Sequence, residues 1–263
     1  MKKLFVIAIL FAAVLPACGS SVSDATQAGA SELISNITAT LTESLEGLKN
    51  AENAQSAAEV ADNFQTALAS YVLKDGELMQ KSDYALINTD KKIQGLIEEL
   101  AAAMHSFRRS IGGESDAYHL AAHAAPAARA MQDEFEGLKV YPITWLNSCT
   151  EARNLIEGLT DLMNTSFVSL RDAKDSSTAG SVLIAYANGI RDLSARGAEL
   201  EEKYPEFKKA ATDSSLEKPV ANLRAAMVDL GKEINARAKE FEKDADYQNA
   251  RTQMKEILDS IKR

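Results

Sequence analysis

Residues 31–51 read SELISNITATLTESLEGLKNA, and the spacing of their apolar residues decides the fold class. The apolar residues follow one another at steps of three and four, which places them on one face of an α-helix. The stretch therefore predicts a long amphipathic helix that buries this face against other helices. Its apolar face consists of Leu33, Ile34, Ile37, Leu41, Leu45 and Leu48.

The same pattern returns 122 positions later in residues 153–173, RNLIEGLTDLMNTSFVSLRDA. In the third helix the offset becomes 130, because the second half of the chain has an extra segment near YPEFKKAAT. The offset returns to 122 where Ala128 aligns with Ala250. Tandem duplication of a four-helix unit explains the matches, and so does the chance alignment of Ala- and Leu-rich helices. The matched pairs include Leu33 with Leu155, Ile34 with Ile156, Thr38 with Thr160, Leu48 with Leu170, Ala51 with Ala173 and Ala57 with Ala179.

Apolar stripes predict three more helices before the repeat begins again. No segment sustains the alternation that marks a strand. We therefore expect an all-α, elongated protein of two tandem repeated helical bundles, with three to four helices each, at residues 32–140 and 141–263. The first of these helices begins near Ser56, and the second begins near Thr89, a suitable N-cap. The third runs from about Asp116 to Leu138, with a bend at Pro126.

The composition and net charge of the chain argue against nucleic acid as a partner. The 263-residue chain is 46% hydrophobic and 25% charged, which is ordinary for a globular protein. Its formal net charge is −9, so it repels phosphate backbones, and nucleic-acid binding is not expected.

The first 17 residues, MKKLFVIAILFAAVLPA, have the pattern of a signal peptide. Lys2 and Lys3 precede an apolar run from Leu4 to Leu15. A helix of that length spans about 18 Å, well short of a hydrocarbon core of ~30 Å. We expect cleavage after Ala17.

Leu15-Pro16-Ala17-Cys18 resembles the lipobox of bacterial lipoproteins. The resemblance covers about 20 residues and implies that Cys18 carries a diacylglycerol, with further acylation (palmitate) of the new amino terminus. Residues 18–31 would form a lipidated tether. The resemblance implies a membrane anchor in the bacterial cell envelope, with the body in the periplasm or at the cell surface. Gly19 replaces the inner-membrane retention Asp of enterobacterial lipoproteins, which favours the outer membrane. A simple secretory signal is the alternative.

Cys149 and Trp145 have no specific motif around them, and each allows a structural interpretation. Cys149 is expected to pack as a small hydrophobic residue, because lipidation of Cys18 removes its only disulfide partner. Trp145 lies where the second repeat begins, so it either plugs the junction of the bundles or anchors a partner.

The sequence DAYHLAAHAAP contains the candidate metal site. His119 and His123 are separated by one helical turn, and Asp116 precedes them by one more, so a helix would present all three on one face. A fourth ligand and a supporting shell are not identifiable nearby. Two histidines on an exposed or interfacial helix face are the simpler interpretation.

Other catalytic patterns are missing from the sequence. It contains no paired Glu-x-x-His, no His-Glu-x-x-His and no P-loop. We expect a membrane-anchored, non-enzymatic binding or structural module with an envelope protein as partner and no cofactor. The alternative is a small-ligand or metal carrier that uses the His119/His123 region.

Overall fold

The computed structural model describes residues 22–112 and 120–261. These residues form helices joined by short turns, with no β-strand among them, so the predicted all-α fold is confirmed. The chain divides into two compact units between Leu146 and Asn147, six residues beyond the predicted boundary. We call them the N-terminal and the C-terminal bundle. No helix of the described ranges is long and apolar enough to cross a bilayer.

The N-terminal bundle contains four α-helices and two short 3₁₀ segments within its described residues. Helix α1 packs against α2 and α3, and α4 packs against α2. In chain order the elements are α1 (Asp24–Asn50), α2 (Ala54–Leu78), a 3₁₀ segment (Tyr84–Thr89), α3 (Lys91–Gly112), a 3₁₀ segment (Ala122–Ala124) and α4 (Ala125–Gly137).

The core of the N-terminal bundle contains the apolar face predicted for α1. All six of its residues are buried, from Leu33 to Leu48. Three phenylalanines join the other helices: the ring of Phe107 lies 5.4 Å from that of Phe64 and 5.5 Å from that of Phe135. Each ring is 1% exposed, so α2, α3 and α4 share one aromatic cluster.

The C-terminal bundle buries a continuous apolar cluster drawn from its four long helices. Helices α6 and α8 approach closely at Gly180, where a Cβ atom would lie 2.8 Å from that of Ala250. A larger residue at position 180 would therefore force the helices apart. The elements are α5 (Tyr141–Asp172, which begins in the N-terminal bundle), α6 (Ser176–Lys203), a one-turn helix (Phe207–Ala210), a 3₁₀ segment (Ser214–Leu216), α7 (Glu217–Glu240) and α8 (Ala245–Ile261).

Two predicted boundaries are wrong. Helix α1 begins at Asp24, so most of the predicted tether is helical, and Thr26 and Ala30 are fully buried there. Helix α4 begins at Ala125, and Pro126 lies in its first turn instead of bending it. Proline suits a first turn because the amide it lacks has no acceptor within the helix at that position.

One type of helix cap occurs at two positions that are 122 residues apart in the sequence. Asn53 caps α2 by accepting from the amide of Ser56 at 3.0 Å. Asp175 caps α6 by accepting from the amide of Thr178 at 2.7 Å. Each cap satisfies an amide of the first helical turn, and the two caps lie 122 residues apart.

Candidate functional site

The first turn of α1 is held by a carboxylate that is distant in sequence. The Ser23 amide donates to Asp83 Oδ2 at 2.7 Å, and the Thr26 hydroxyl donates to Asp83 Oδ1 at 2.8 Å. Hydrogen bonds from Ser23, and then from Thr26, lower the pKa of Asp83 to about 2. A carboxylate at this position also complements the positive end of the helix dipole.

Further contacts tie the same turn to the neighbouring loop. Lys81 Nζ donates to the carbonyl oxygen of Ala25 at 3.3 Å. Gln27 Nε2 donates to Asp90 Oδ2 at 2.9 Å, and Lys92 Nζ donates to Gln27 Oε1 at 3.3 Å. We call this part of the N-terminal bundle the basal end: the first turn of α1, the last three turns of α2 and residues 79–92.

A buried polar cluster lies beside the basal end. Asp75, which is 6% exposed, accepts at Oδ1 from the Tyr84 hydroxyl at 2.7 Å and from the Tyr141 amide at 3.2 Å. Burial raises the pKa of Asp75, and the hydrogen bonds from Tyr84 and Tyr141 oppose that rise only in part. Burial and the neighbouring carboxylate also raise the pKa of Tyr84. The cluster therefore joins α2, the 3₁₀ segment and the start of α5.

Trp145 belongs to the same region of the N-terminal bundle. It is 5% exposed, and its ring lies 6.3 Å from that of Tyr141, which lies 5.4 Å from that of Tyr84. Sequence reasoning missed this cluster. The signal was present, because Asp75 follows Leu68 at a seven-residue step and so places a carboxylate in the apolar stripe of α2.

In the C-terminal bundle, a polar groove of about 740 Å³ lies between α5 and α7. Arg153 bridges it by donating to the Ser215 carbonyl oxygen at 3.0 Å. Carboxylates, amides and an ammonium group line the groove, so it offers both donors and acceptors to a hydrophilic ligand. Its lining includes Glu157, Asp161, Asn164, Lys218, Asn222 and Asp229. No periodicity in the sequence predicts it, because these residues simply occupy solvent-facing positions of two helices.

The structure places one of the three predicted metal ligands. His123 lies in the 3₁₀ segment that precedes α4, and residues 120 and 121 are not helical, so the helix assumed for the His119/His123 pair does not extend through this stretch. His123 Nε2 lies 2.6 Å from the carbonyl oxygen of Ala51, at the end of α1. His119 and Asp116 lie outside the described residues. Within the described ranges, no three His, Cys, Asp or Glu side chains are grouped to hold a metal ion.

Of the two cysteines, Cys149 lies among the described residues and Cys18 does not. Cys149 is half-buried in α5, and burial, followed by the charge of Asp213, raises the pKa of its thiol to about 12. The thiolate, which is the reactive form, is therefore scarce at neutral pH. Cys18, its cleavage partner Ala17 and the signal peptide lie outside the described residues.

Comparison of the chain with known protein families, with curated proteins and with solved structures found no match.

Proposed function

We propose that this protein is a bacterial envelope lipoprotein, anchored through Cys18, that acts as a non-enzymatic binding or structural module. The observation that carries the proposal is the position of α1. Its first residue, Asp24, follows Cys18 of the lipobox-like sequence after only five residues, and Asp83 clamps that first turn to the bundle.

The short separation fixes which part of the fold would be near the membrane. The six steps from Cys18 to Asp24 span at most about 22 Å even when the chain is fully extended. A lipidated Cys18 would therefore hold the basal end close to the lipid headgroups. Acyl chains contribute ~0.8 kcal/mol per buried methylene, so two or three chains give stable anchoring.

Mass spectrometry of the mature amino terminus tests the anchor. We expect a chain that begins at Cys18 with the added mass of a diacylglycerol and an acyl group, found in the membrane fraction. Cys18→Ser should release the protein into the aqueous phase. Cys149→Ser is the matched control and should stay in the membrane. An unmodified Cys18 in the native protein contradicts the proposal.

The groove between α5 and α7 supports a binding role for the C-terminal bundle. Its amide and carboxylate side chains suit a hydrophilic segment of an envelope partner, and the raised pKa of the Cys149 thiol argues against this residue as a nucleophile. A photo-crosslinking residue at position 164 or 222 should capture an envelope component. The same residue at Asn63, which is exposed on α2, is the control. Equal capture at all three positions, or none at 164 and 222, argues against the groove.

The two bundles are best explained by duplication of one four-helix unit. The N-caps Asn53 and Asp175 share one offset with the buried pairs Leu33/Leu155 and Ala57/Ala179. Thr38 and Thr160, at the same offset, both donate to the carbonyl oxygen four residues earlier. Experimental coordinates in which the bundles superpose helix for helix would support duplication, and a different connectivity would exclude it.

A further inference from the structure

Helix α2 exposes an apolar face at the basal end. Leu73 is 73% exposed, Met79 55% and Val72 45%. Ala69 and Gly76 are exposed between them, and a Cβ atom at Gly76 would meet nothing within 4 Å. Steps of three and four residues place all five on one side of α2. We call this surface the α2 patch.

The α2 patch concentrates much of the exposed apolar surface of the described residues. Within the described ranges, the other exposed large hydrophobic residues are Val168 and Val228, both in the C-terminal bundle. Single exposed apolar residues need no explanation, but three within eight residues on one helix face indicate a surface that meets something less polar than water.

The α2 patch is adjacent to the place where the chain leaves the bundle towards Cys18. A Cβ atom at Gly29 of α1 would lie 2.8 Å from Leu78, the residue before Met79. Lys81, two residues after Met79, contacts the first turn of α1 at Ala25. The patch therefore begins beside the first turn of α1. From there it extends along α2 to Ala69, a distance of about 15 Å.

We propose that the α2 patch rests on the lipid bilayer and inserts Leu73, Met79 and Val72 into the headgroup and upper acyl region. This inference rests on the proposed anchor, because Asp24 follows Cys18 by six positions and so cannot lie more than about 22 Å from it. Apolar faces of interfacial helices enter to about 5–10 Å, which side chains of this size can reach from a helix lying on the surface.

A second copy of the chain is a weaker candidate for the occupant. A stable dimer buries about 800 Å² on each partner, and three partly exposed side chains provide much less. The charges nearby do not favour strongly anionic lipid either, because Lys74 is paired with Glu32 at 3.4 Å and Glu77 is exposed beside the patch. Insertion should therefore depend on apolar contact more than on lipid charge.

Spin labels on the full lipidated chain test the inference. The labels are attached at Leu73→Cys and Met79→Cys, in a Cys149→Ala background reconstituted into phosphatidylcholine vesicles. Ala58→Cys is the control, because it is exposed on the same helix about 32 Å from Met79. The labels at 73 and 79 should collide several-fold more with oxygen than with a water-soluble nickel chelate, and the label at 58 should show the reverse.

The spin-label result and the mass of the amino terminus together distinguish a failure of this inference from a failure of the proposed anchor. The mass of the amino terminus is measured on the same samples. Lipidated protein whose labels at 73 and 79 stay in water overturns the inference and leaves the anchor standing. Spin–spin broadening between labels at 79 assigns the patch to a second copy and also overturns it. An amino terminus without lipid overturns the proposed function and this inference with it.

Discussion

Asp83 accepts a hydrogen bond from the backbone amide of Ser23 at 2.7 Å, across sixty residues of sequence. Through this bond a residue of the α2–α3 connection fixes where α1 begins. If Cys18 is lipidated, the same bond holds the point at which the linker from Cys18 joins the N-terminal bundle, because Asp83 accepts from Ser23 directly before α1.

Replacing Asp83 should loosen the start of α1. Asp83→Asn keeps the size of the side chain but removes the charge that accepts from Ser23 and Thr26. Amides of the first turn should exchange with solvent faster, as read by hydrogen exchange. Asp62→Asn, at an exposed position of α2, is the control and should leave that turn unchanged.

The contribution of Asp83 should also depend on pH. Its pKa is about 2 in the folded protein and near 3.8 when unfolded, so the folded state favours the ionised form. The stabilisation is present above pH ~4 and is lost as the pH falls towards 2. Acid titration by circular dichroism should show wild type and Asp83→Asn converging over this window. A difference that is as large at pH 2 as at neutral pH contradicts the assignment.

The contribution of Asp75 to stability should depend on pH in the opposite direction. Burial raises its pKa in the folded protein, so the folded state prefers the neutral acid and the ionised group disfavours folding at neutral pH. Asp75→Asn keeps an acceptor for Tyr84 and should be at least as stable as wild type at pH 7, with the difference shrinking as the pH falls through the raised pKa. Urea unfolding at several pH values measures it.

Asp75→Leu is the matched test of the hydrogen bonds. It removes Oδ1, which accepts from the Tyr84 hydroxyl and the Tyr141 amide, and leaves the buried Tyr84 hydroxyl without this acceptor. An unsatisfied buried polar group costs about 1–3 kcal/mol, so this variant should lose stability at every pH. Equal stability of the Asn and Leu variants would contradict the role given to Oδ1.

Gly180→Ala should destabilise the C-terminal bundle. Its new methyl group would lie 2.8 Å from Ala250 Cβ, closer than two carbons can approach. Overpacking of this kind costs about 1–3 kcal/mol. Gly231→Ala is the control, because nothing lies within 4 Å of its Cβ and the helix should gain about 0.5–1 kcal/mol. Adding Ala250→Gly should recover part of the loss, as thermal unfolding would show.

The Cys149 thiol should be slow to alkylate in the folded protein. Its pKa of about 12 leaves little thiolate at pH 8. Iodoacetamide should modify it far more slowly in native protein than in urea, measured by intact mass. Rapid native alkylation would show that the thiol is accessible and activated, and would reopen catalysis at this residue.

The variant His123→Ala distinguishes a structural role of His123 from a role as a metal ligand. Its bond to the Ala51 carbonyl oxygen is worth about 0.5–1.5 kcal/mol, which His123→Ala should lose. Zn²⁺ should not raise the melting temperature of wild type more than that of the variant. A selective rise in wild type would favour the metal-carrier alternative instead.

The sequence predicted the helices well where packing follows local spacing. The six apolar residues of α1, from Leu33 to Leu48, were identified from their steps of three and four, and all are buried. Helix starts were predicted less well. The start of α1 follows Ser23, which Asp83 holds across sixty residues, and Pro126 was interpreted as a bend although proline also suits the first turn of a helix. The small residues before Ser31 were interpreted as a tether, although Gly29 provides the space that Leu78 of α2 occupies.

By itself, the sequence determined the fold class, since a repeat of three to four residues can bury one continuous face only as a helix. It also supplied the lipobox-like motif, which is read from consecutive residues. Only the tertiary structure decided that Asp83 clamps Ser23, that Tyr84 and Tyr141 donate to Asp75, and that the α2 patch lies beside the start of α1. These relationships join residues far apart in the chain, and hydrogen bonds and close contacts depend on distance in space, which helical periodicity does not specify.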